Sequence, residues 1–288
     1  MKRPLIYGEV LFDHFPDQTV LGGAPFNVAW NLQGFGLRPL ILTAIGNDDE
    51  GESVKQRMRQ WEMDTAGLQV SLDHPTGRVE VEIRAGQPRF EIVRDQAYDF
   101  IQPPTIDINT DDFGLIYHGT LAWRSETSRA TLAEIIANTS LPRFVDINIR
   151  KPHFDAGWLT QLLPGAKWVK VNEDELASLA NQSTDADDGI QAAVKTMCNR
   201  YGDAIYFVTA GARGAYVVDG DEVLFRPAPT PETFRDSVGA GDAFAAMTIE
   251  GLMRDRESGE TLSRATTFAA KICGIAGATS QDVSLYRP

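Results

Sequence analysis

The chain reads as an α/β protein: a mostly parallel sheet covered by helices on both faces, with a small separate β-sheet beside it. Two observations predict this. Strand-like apolar runs and helically spaced segments alternate through most of the 288 residues, which implies βαβ crossovers. One stretch, 77–93, breaks that rhythm by alternating apolar and charged residues, the pattern of a hairpin with one apolar and one polar face.

In order, residues 5–10 read as a buried strand, 25–35 have helical spacing and 40–45 read as strand again. Strand 114–118, helix 129–138 and strands 143–147 and 168–171 follow. Segments 174–180 and 189–201 are helical, 204–209 is a strand, and 241–254 and 261–276 are helices. The polar run 181–188 is a surface loop. In the hairpin, Val79, Val81 and Ile83 oppose Glu80, Glu82 and Arg84; the chain turns at Ala85-Gly86-Gln87-Pro88 and resumes with Phe90 and Ile92. Its apolar face requires a cover: the substrate site, a second subunit in a homodimer, or the main domain.

Composition narrows the partners. Hydrophobic residues make up 43% and charged residues 23%, as in a soluble globular protein, and the length suits one large α/β domain. With 40 acidic residues against 27 basic ones the formal charge is -13, which argues against nucleic acid or an anionic membrane as partner. The N-terminal apolar run is too short for a secretory signal, and no segment approaches a membrane span. Cys198 and Cys273 form no CxxC pair and read as reduced thiols of a cytoplasmic protein.

The most informative segment is Asp236-Ser237-Val238-Gly239-Ala240-Gly241-Asp242-Ala243-Phe244, followed by a helical apolar run. It sets several backbone N–H groups at a helix N-terminus, an anion-binding arrangement. A carboxylate there repels phosphate, so Asp242 needs a reason, and a general base that takes a proton from an attacking hydroxyl is one. Alone, the same residues also fit an ordinary glycine turn with an acidic cap. Gly22-Gly23-Ala24-Pro25-Phe26-Asn27 puts two glycines before a helix, and Asn27 offers donor and acceptor to a hydroxyl. Asp13 follows the first strand, where parallel sheets bind ligands. Asn172 and Glu175, three apart at a strand-to-helix junction, suit a hydrated magnesium, or merely complement the helix dipole. Thr209-Ala210-Gly211-Ala212-Arg213-Gly214 is a glycine turn between strands that fits a nucleotide phosphate or ribose, or no ligand at all. There is no P-loop, no nucleophile elbow and no histidine set with metal-ligand spacing. The Gly239–Gly241 segment stands near the C-terminus with Phe244 where a dinucleotide fingerprint needs Gly or Ala, which counts against a nicotinamide oxidoreductase.

Taken in order, these features resemble the ribokinase/PfkB family of carbohydrate kinases over essentially the whole chain. Within it, GEVLFD (8–13), GGAPFNVAWNL (22–32), HGTLAWRSETSR (118–129) and DINIRKPHF (146–154) look most like bacterial fructokinases. The resemblance implies a doubly wound, ribokinase-like sheet and a β lid contributed by insertions at about 11–21 and 76–101. It implies Asp242 as base and the amides of Gly239, Ala240 and Gly241 as anion hole. Asp13, Gly23 and Asn27 would bind sugar; Asn172 and Glu175 would order Mg2+ and phosphate; Thr209, Gly211 and Gly214 would touch ATP. Asp236, the Val238 carbonyl and the loop around Gly277 loosely match a monovalent-cation (K+) site. Thr266 stands where some relatives carry Asn at the adenine, and Gln281 where some carry Ser at the cation.

The activity implied is transfer of the γ-phosphoryl of ATP to a primary hydroxyl of a free sugar, fructose first. A carboxylated acceptor, 2-keto-3-deoxygluconate, would want a cation, and Arg84, Arg89, Arg94 and Arg124 are candidates. A nucleoside acceptor would want stacking on Phe90 or Tyr98. A non-catalytic, ligand-binding member of the fold predicts loss of the base or of the anion-hole glycines, and both are present.

Overall fold

Apolar runs rich in Ile, Val, Leu and Phe, bounded by Gly, Asn and Asp, become the strands, and segments with 3.6-residue spacing become the helices between them. The structure, a computed structural model, describes residues 2–84 and 87–287. The expected turn at Ala85-Gly86 and the side chain of Arg84 lie outside the described residues. The first half holds β1 (Arg3–Tyr7), β2 (Leu11–His14), β3 (Thr19–Gly22), α1 (Ala24–Gly34), β4 (Leu40–Gly46), α2 (Asp49–Gln60), β5 (Leu68–Ser71), β6 (Gly77–Arg84), β7 (Gln87–Ile92), β8 (Phe113–His118) and α3 (Glu126–Asn138). The second half holds β9 (Arg143–Asp146), α4 (Leu159–Leu162), β10 (Trp168–Asn172), α5 (Glu173–Ala180), α6 (Asp187–Tyr201), β11 (Ile205–Thr209), β12 (Gly214–Asp219), β13 (Glu222–Pro227), α7 (Ala240–Met253) and α8 (Ser258–Ile272).

Among the described residues the main sheet has nine strands in the order β13-β12-β11-β10-β9-β8-β1-β4-β5. It is parallel from β5 to β11, and β12 and β13 add antiparallel at one edge. The chain winds one way from β1 to β4 and the other way from β8 onward. The point of reversal, between β1 and β8, is where open α/β sheets form a ligand crevice beyond their carboxyl ends. Buried residues on both faces of the sheet confirm the double layering: Ile6, Ile41 and Tyr117 pack with Phe244 and Ile249 of α7, while Leu5, Leu42 and Ile116 pack with Leu132 and Ile135 of α3.

A second sheet, order β3-β2-β6-β7, is drawn from the segments on either side of β4, α2 and β5. Val79 and Val81 of β6 are each 5% exposed and share a cluster with Tyr98 and Trp123 of the main body. The main domain therefore covers the inner part of the hairpin's apolar face, whereas Phe90 remains 54% exposed.

Helix α2 has no counterpart in the sequence reading, because only Val54 and Met58 repeat on its buried face. Asp48 caps it, accepting from the Gly51 amide at 2.7 Å. The same carboxylate accepts from the Thr76 amide at 2.8 Å and the Thr76 hydroxyl at 2.6 Å, tying the entry of β6 to α2. Burial works against this charge, but the hydrogen bonds from Thr76 and Gly51 hold the Asp48 pKa below the usual carboxylate value. A depressed carboxylate stabilises the fold above its unfolded pKa and ceases to as pH falls through the folded one. Asp48→Ala should therefore cost about 1–2 kcal/mol at neutral pH, and the difference from the parent should shrink on acidification. Urea unfolding at pH 7 and below pH 4 tests this; a constant difference would exclude the charged clasp.

Candidate active site

The carboxyl ends of β1, β9, β10 and β11 face the N-termini of α1 and α7, so the crevice is assembled from strand ends and helix starts. Gly239 caps α7 in the left-handed region (φ +77°), and a Cβ there would run into Ala278, so both conformation and space require glycine. Among the described residues the amides of Gly239, Gly241 and Asp242 have no protein acceptor, while Ala240 donates to the Ser237 carbonyl at 3.2 Å. The Ala240 amide is thus shared with the turn, and the Asp242 amide stands beside those of Gly239 and Gly241 at the start of α7. Ala278 packs against this cap, and the Val238 amide donates to the Asp236 carboxylate at 2.9 Å.

Asp242 occupies the third position of α7, and its Oδ2 accepts from Asn27 Nδ2 at 2.8 Å. Desolvation raises its pKa to about 6, opposed by the Asn27 hydrogen bond and the charges of Lys170 and Arg150. Asn27 itself is 5% exposed, and its Oδ1 has no partner, leaving a buried acceptor beside the carboxylate. Gly23, which caps α1 with φ +104°, lies so close to the Glu9 carbonyl that a Cβ would approach it to 2.8 Å.

Beneath this pair lies an ion pair that sequence reading missed. Lys170 Nζ contacts both Asp146 oxygens at 2.9 Å, and Tyr117 donates its hydroxyl to the same carboxylate at 3.2 Å. Burial works against the ammonium, but Asp146, with Asp242 and Glu175 further off, holds its pKa above the ordinary lysine value. Nζ sits 3.5 Å from where a Cβ on Gly241 would be, so a fixed positive charge underlies the open amides. The sequence carries a partial signal: Asp146 and Lys170 stand inside the segments that form β9 and β10, though β9 buries Arg143 as well, and only the pairing of the two strands joins them.

On the other side, Asp13 of β2 faces the crevice, its Oδ2 3.4 Å from a Cβ built on Gly22. Desolvation raises its pKa while Arg150 and His14 pull it down. Glu9 is 5% exposed with one oxygen unpartnered; desolvation pushes it up to about 7 against the pull of Arg150 and Arg124. Arg150, which sequence reading did not single out, is thus the cation felt by Glu9, Asp13 and Asp242 together. Arg124 is not free for a ligand. It binds Asp99 at 2.8 and 2.7 Å, the Tyr98 hydroxyl at 2.8 Å and the Val93 carbonyl at 2.6 Å. Arg89 and Arg94 are exposed, and Tyr98, fully buried, has no face to stack on a base.

A pocket of about 650 Å³ extends from Gly241 along Asn172, Thr209, Gly211 and Gly214 to Thr266, Ala269 and Cys273, within the range that holds a small-molecule ligand. Asn172 and Glu175 form a reciprocal capping box: Asn172 Oδ1 accepts from the Glu175 amide at 2.8 Å and Glu175 Oε2 from the Asn172 amide at 3.0 Å. Glu175 Oε1 also accepts from the Ile149 amide at 2.6 Å. The carboxylate is thereby fixed in place, with lone pairs left for a metal's water shell. Arg213 pairs with Glu173, joining the glycine turn to α5. The Thr266 hydroxyl is used within α8, donating to Leu262 and Ser263 carbonyls, so the far wall offers the pocket apolar atoms. Gln281 lines a separate cleft with Leu21 and Trp30.

The pfkB family carbohydrate kinase model matches residues 8–284. A fructokinase of Klebsiella pneumoniae is 27% identical over 300 residues, covering 98% of this chain and 95% of that protein. Fructoselysine 6-kinase of Escherichia coli is 26% identical over 285 residues, covering 96% of this chain and 100% of that protein. The crystal structure of a double mutant of Vibrio cholerae fructokinase with fructose, ADP and potassium ion bound superposes with a TM-score of 0.81 at 21% identity, covering 99% and 97% of the two chains. With the motifs, the doubly wound fold and a match across nearly its full length, this chain belongs to the pfkB family of carbohydrate kinases.

Proposed function

We propose that the protein is an ATP-dependent kinase that transfers the γ-phosphoryl group to a primary hydroxyl of a free sugar, with fructose as the first acceptor, and that it works in the cytoplasm. The observation that carries this reading is the Asp242 carboxylate, held by Asn27 at 2.8 Å beside the open amides that begin α7. Asp242 accepts the hydroxyl proton as the sugar oxygen attacks, while the amides of Gly239 and Gly241 and the charge of Lys170 stabilise the migrating phosphoryl. Asp13, Asn27 and the backbone at Gly23 hold the sugar hydroxyls. Thr209, Gly211 and Gly214 lie along the nucleotide. Glu175 and Asn172 would hold Mg2+ through its waters, and that ion, when bound, neutralises the β and γ oxygens. Asp236, Val238 and Gly277 offer a carboxylate and backbone carbonyls suited to K+. The four-stranded sheet closes over the sugar as a lid and excludes water.

Arg150 favours a second reading. A cation whose field reaches Asp13 and Asp242 suits a carboxylated acceptor such as 2-keto-3-deoxygluconate. A coupled ADP-release assay over a panel of ketoses, aldoses and sugar acids, with and without magnesium and potassium, separates the two. ADP release with no member of the panel would favour a ligand-binding protein over both.

Asp242→Asn should lower turnover by roughly 10²–10⁴-fold, and near-normal turnover in that variant removes the base. Because the carboxylate must be ionised, kcat/KM should rise with pH through about 6 and level off above it; a flat profile from pH 5 to 8 contradicts the assignment. Lys170→Gln removes a charge that lowers the Asp242 pKa, so the acid limb should move to higher pH and turnover should fall. Adding Asp146→Asn, which removes the opposing charge, should move the limb back. A limb that stays fixed in both variants would leave Lys170 with packing alone.

A further inference from the structure

Helix α8 carries two functional-looking stripes. Thr266, Ala269, Ala270 and Cys273 line the nucleotide pocket. Arg264, Thr267, Phe268 and Lys271 line a different cavity, of about 160 Å³. Both sets follow i, i+3, i+4, i+7 spacing and are offset by two residues, about 200° around the helix axis. The second cavity therefore lies on the far side of α8 from the nucleotide.

Its walls combine charge with aromatic surface. Phe35, Phe268 and Tyr286 pack mutually, with ring centroids 4.8, 5.5 and 5.7 Å apart, and Arg264, Lys271 and Arg287 stand around them. Arg264 Nε is shielded from solvent and has no acceptor. Among the described residues no carboxylate forms an ion pair with any of the three, although the charge of Arg287 is felt by Asp282. In a chain with 40 acidic residues and 27 basic ones, three cations lining one small cavity, one of them with a shielded, unmet donor, leave a locally positive rim. A volume of about 150 Å³ holds a benzene ring when the cavity is closed and apolar; this cleft, open on one side, has room for a ring against its aromatic wall with an attached charge at the cationic rim.

We propose that this cavity is a second binding site, for a carboxylate or phosphate monoester borne on a single apolar ring. The ring lies against Phe268 and Tyr286, and the anion meets Arg264, Lys271 and Arg287. The site is independent of catalysis and of the kinase reading.

Titration calorimetry of the full chain with benzoate and with phenyl phosphate tests it, first alone and then with saturating ADP to fill the nucleotide pocket. The expected result is saturable binding that survives ADP and weakens about tenfold or more in Arg264→Gln/Lys271→Gln. Benzyl alcohol, the neutral counterpart, should bind correspondingly less. The surface variant Arg287→Gln, checked by its thermal melt, provides a second reading should the double variant misfold. No saturable binding of either anion, undiminished binding to the variants, or equal binding of benzyl alcohol would each overturn the proposal.

Discussion

A carboxylate kept where water is scarce is the constraint around which this molecule is arranged. Asp242 sits at the start of α7, where among the described residues Asn27 is its side-chain hydrogen-bond donor, and the loss of hydration is the largest influence on its charge. Holding it there requires two helix starts to meet, since Asn27 belongs to α1 and Asp242 to α7. That meeting in turn requires the bare backbone of Gly23 against Glu9 and of Gly239 against Ala278. A side chain at either glycine would clash there and displace the helix start that carries Asn27 or Asp242.

The charges around the crevice are graded in depth. At the floor, Lys170 and Asp146 are locked together with both carboxylate oxygens engaged. Such buried pairs contribute little net stability, but they fix the position of a charge. Nearer the surface, Arg150 is exposed and acts through its field on three carboxyl groups. The chain's negative surplus thus gives way locally to two cations, Lys170 and Arg150, whose charges keep the Asp242 carboxylate from being lifted further and present positive potential to an incoming phosphate.

The fold was legible because β1, β4 and β8–β11 are near-continuous apolar runs and α1, α7 and α8 carry long periodic ones, so tertiary context and local pattern agree. Helix α2 was missed because its exposed face dominates its composition, and its start is set by a contact with Thr76 from a distant segment rather than by periodicity. Asp242, Asn27, Asp13 and the glycine turns were legible from glycine placement at strand ends and helix starts. The pairing of Asn27 with Asp242 was not, since it joins residues 215 apart. Nor were Lys170 and Asp146, which are credible only once β9 and β10 are known to be neighbours. Arg124 looked free in the sequence because its partners, Asp99 and the Val93 carbonyl, come together only through the fold.

Both feet of the β6–β7 hairpin are fastened to the main body: Thr76 at its entry by the Asp48 carboxylate, and Val93 at its exit by the Arg124 guanidinium. Those two charged hydrogen bonds, the pairing of β6 with β2 and the burial of Val79 and Val81 all act on the root of the small sheet, so that root is held as one piece with the domain while Phe90, near its outer edge, stands in solvent.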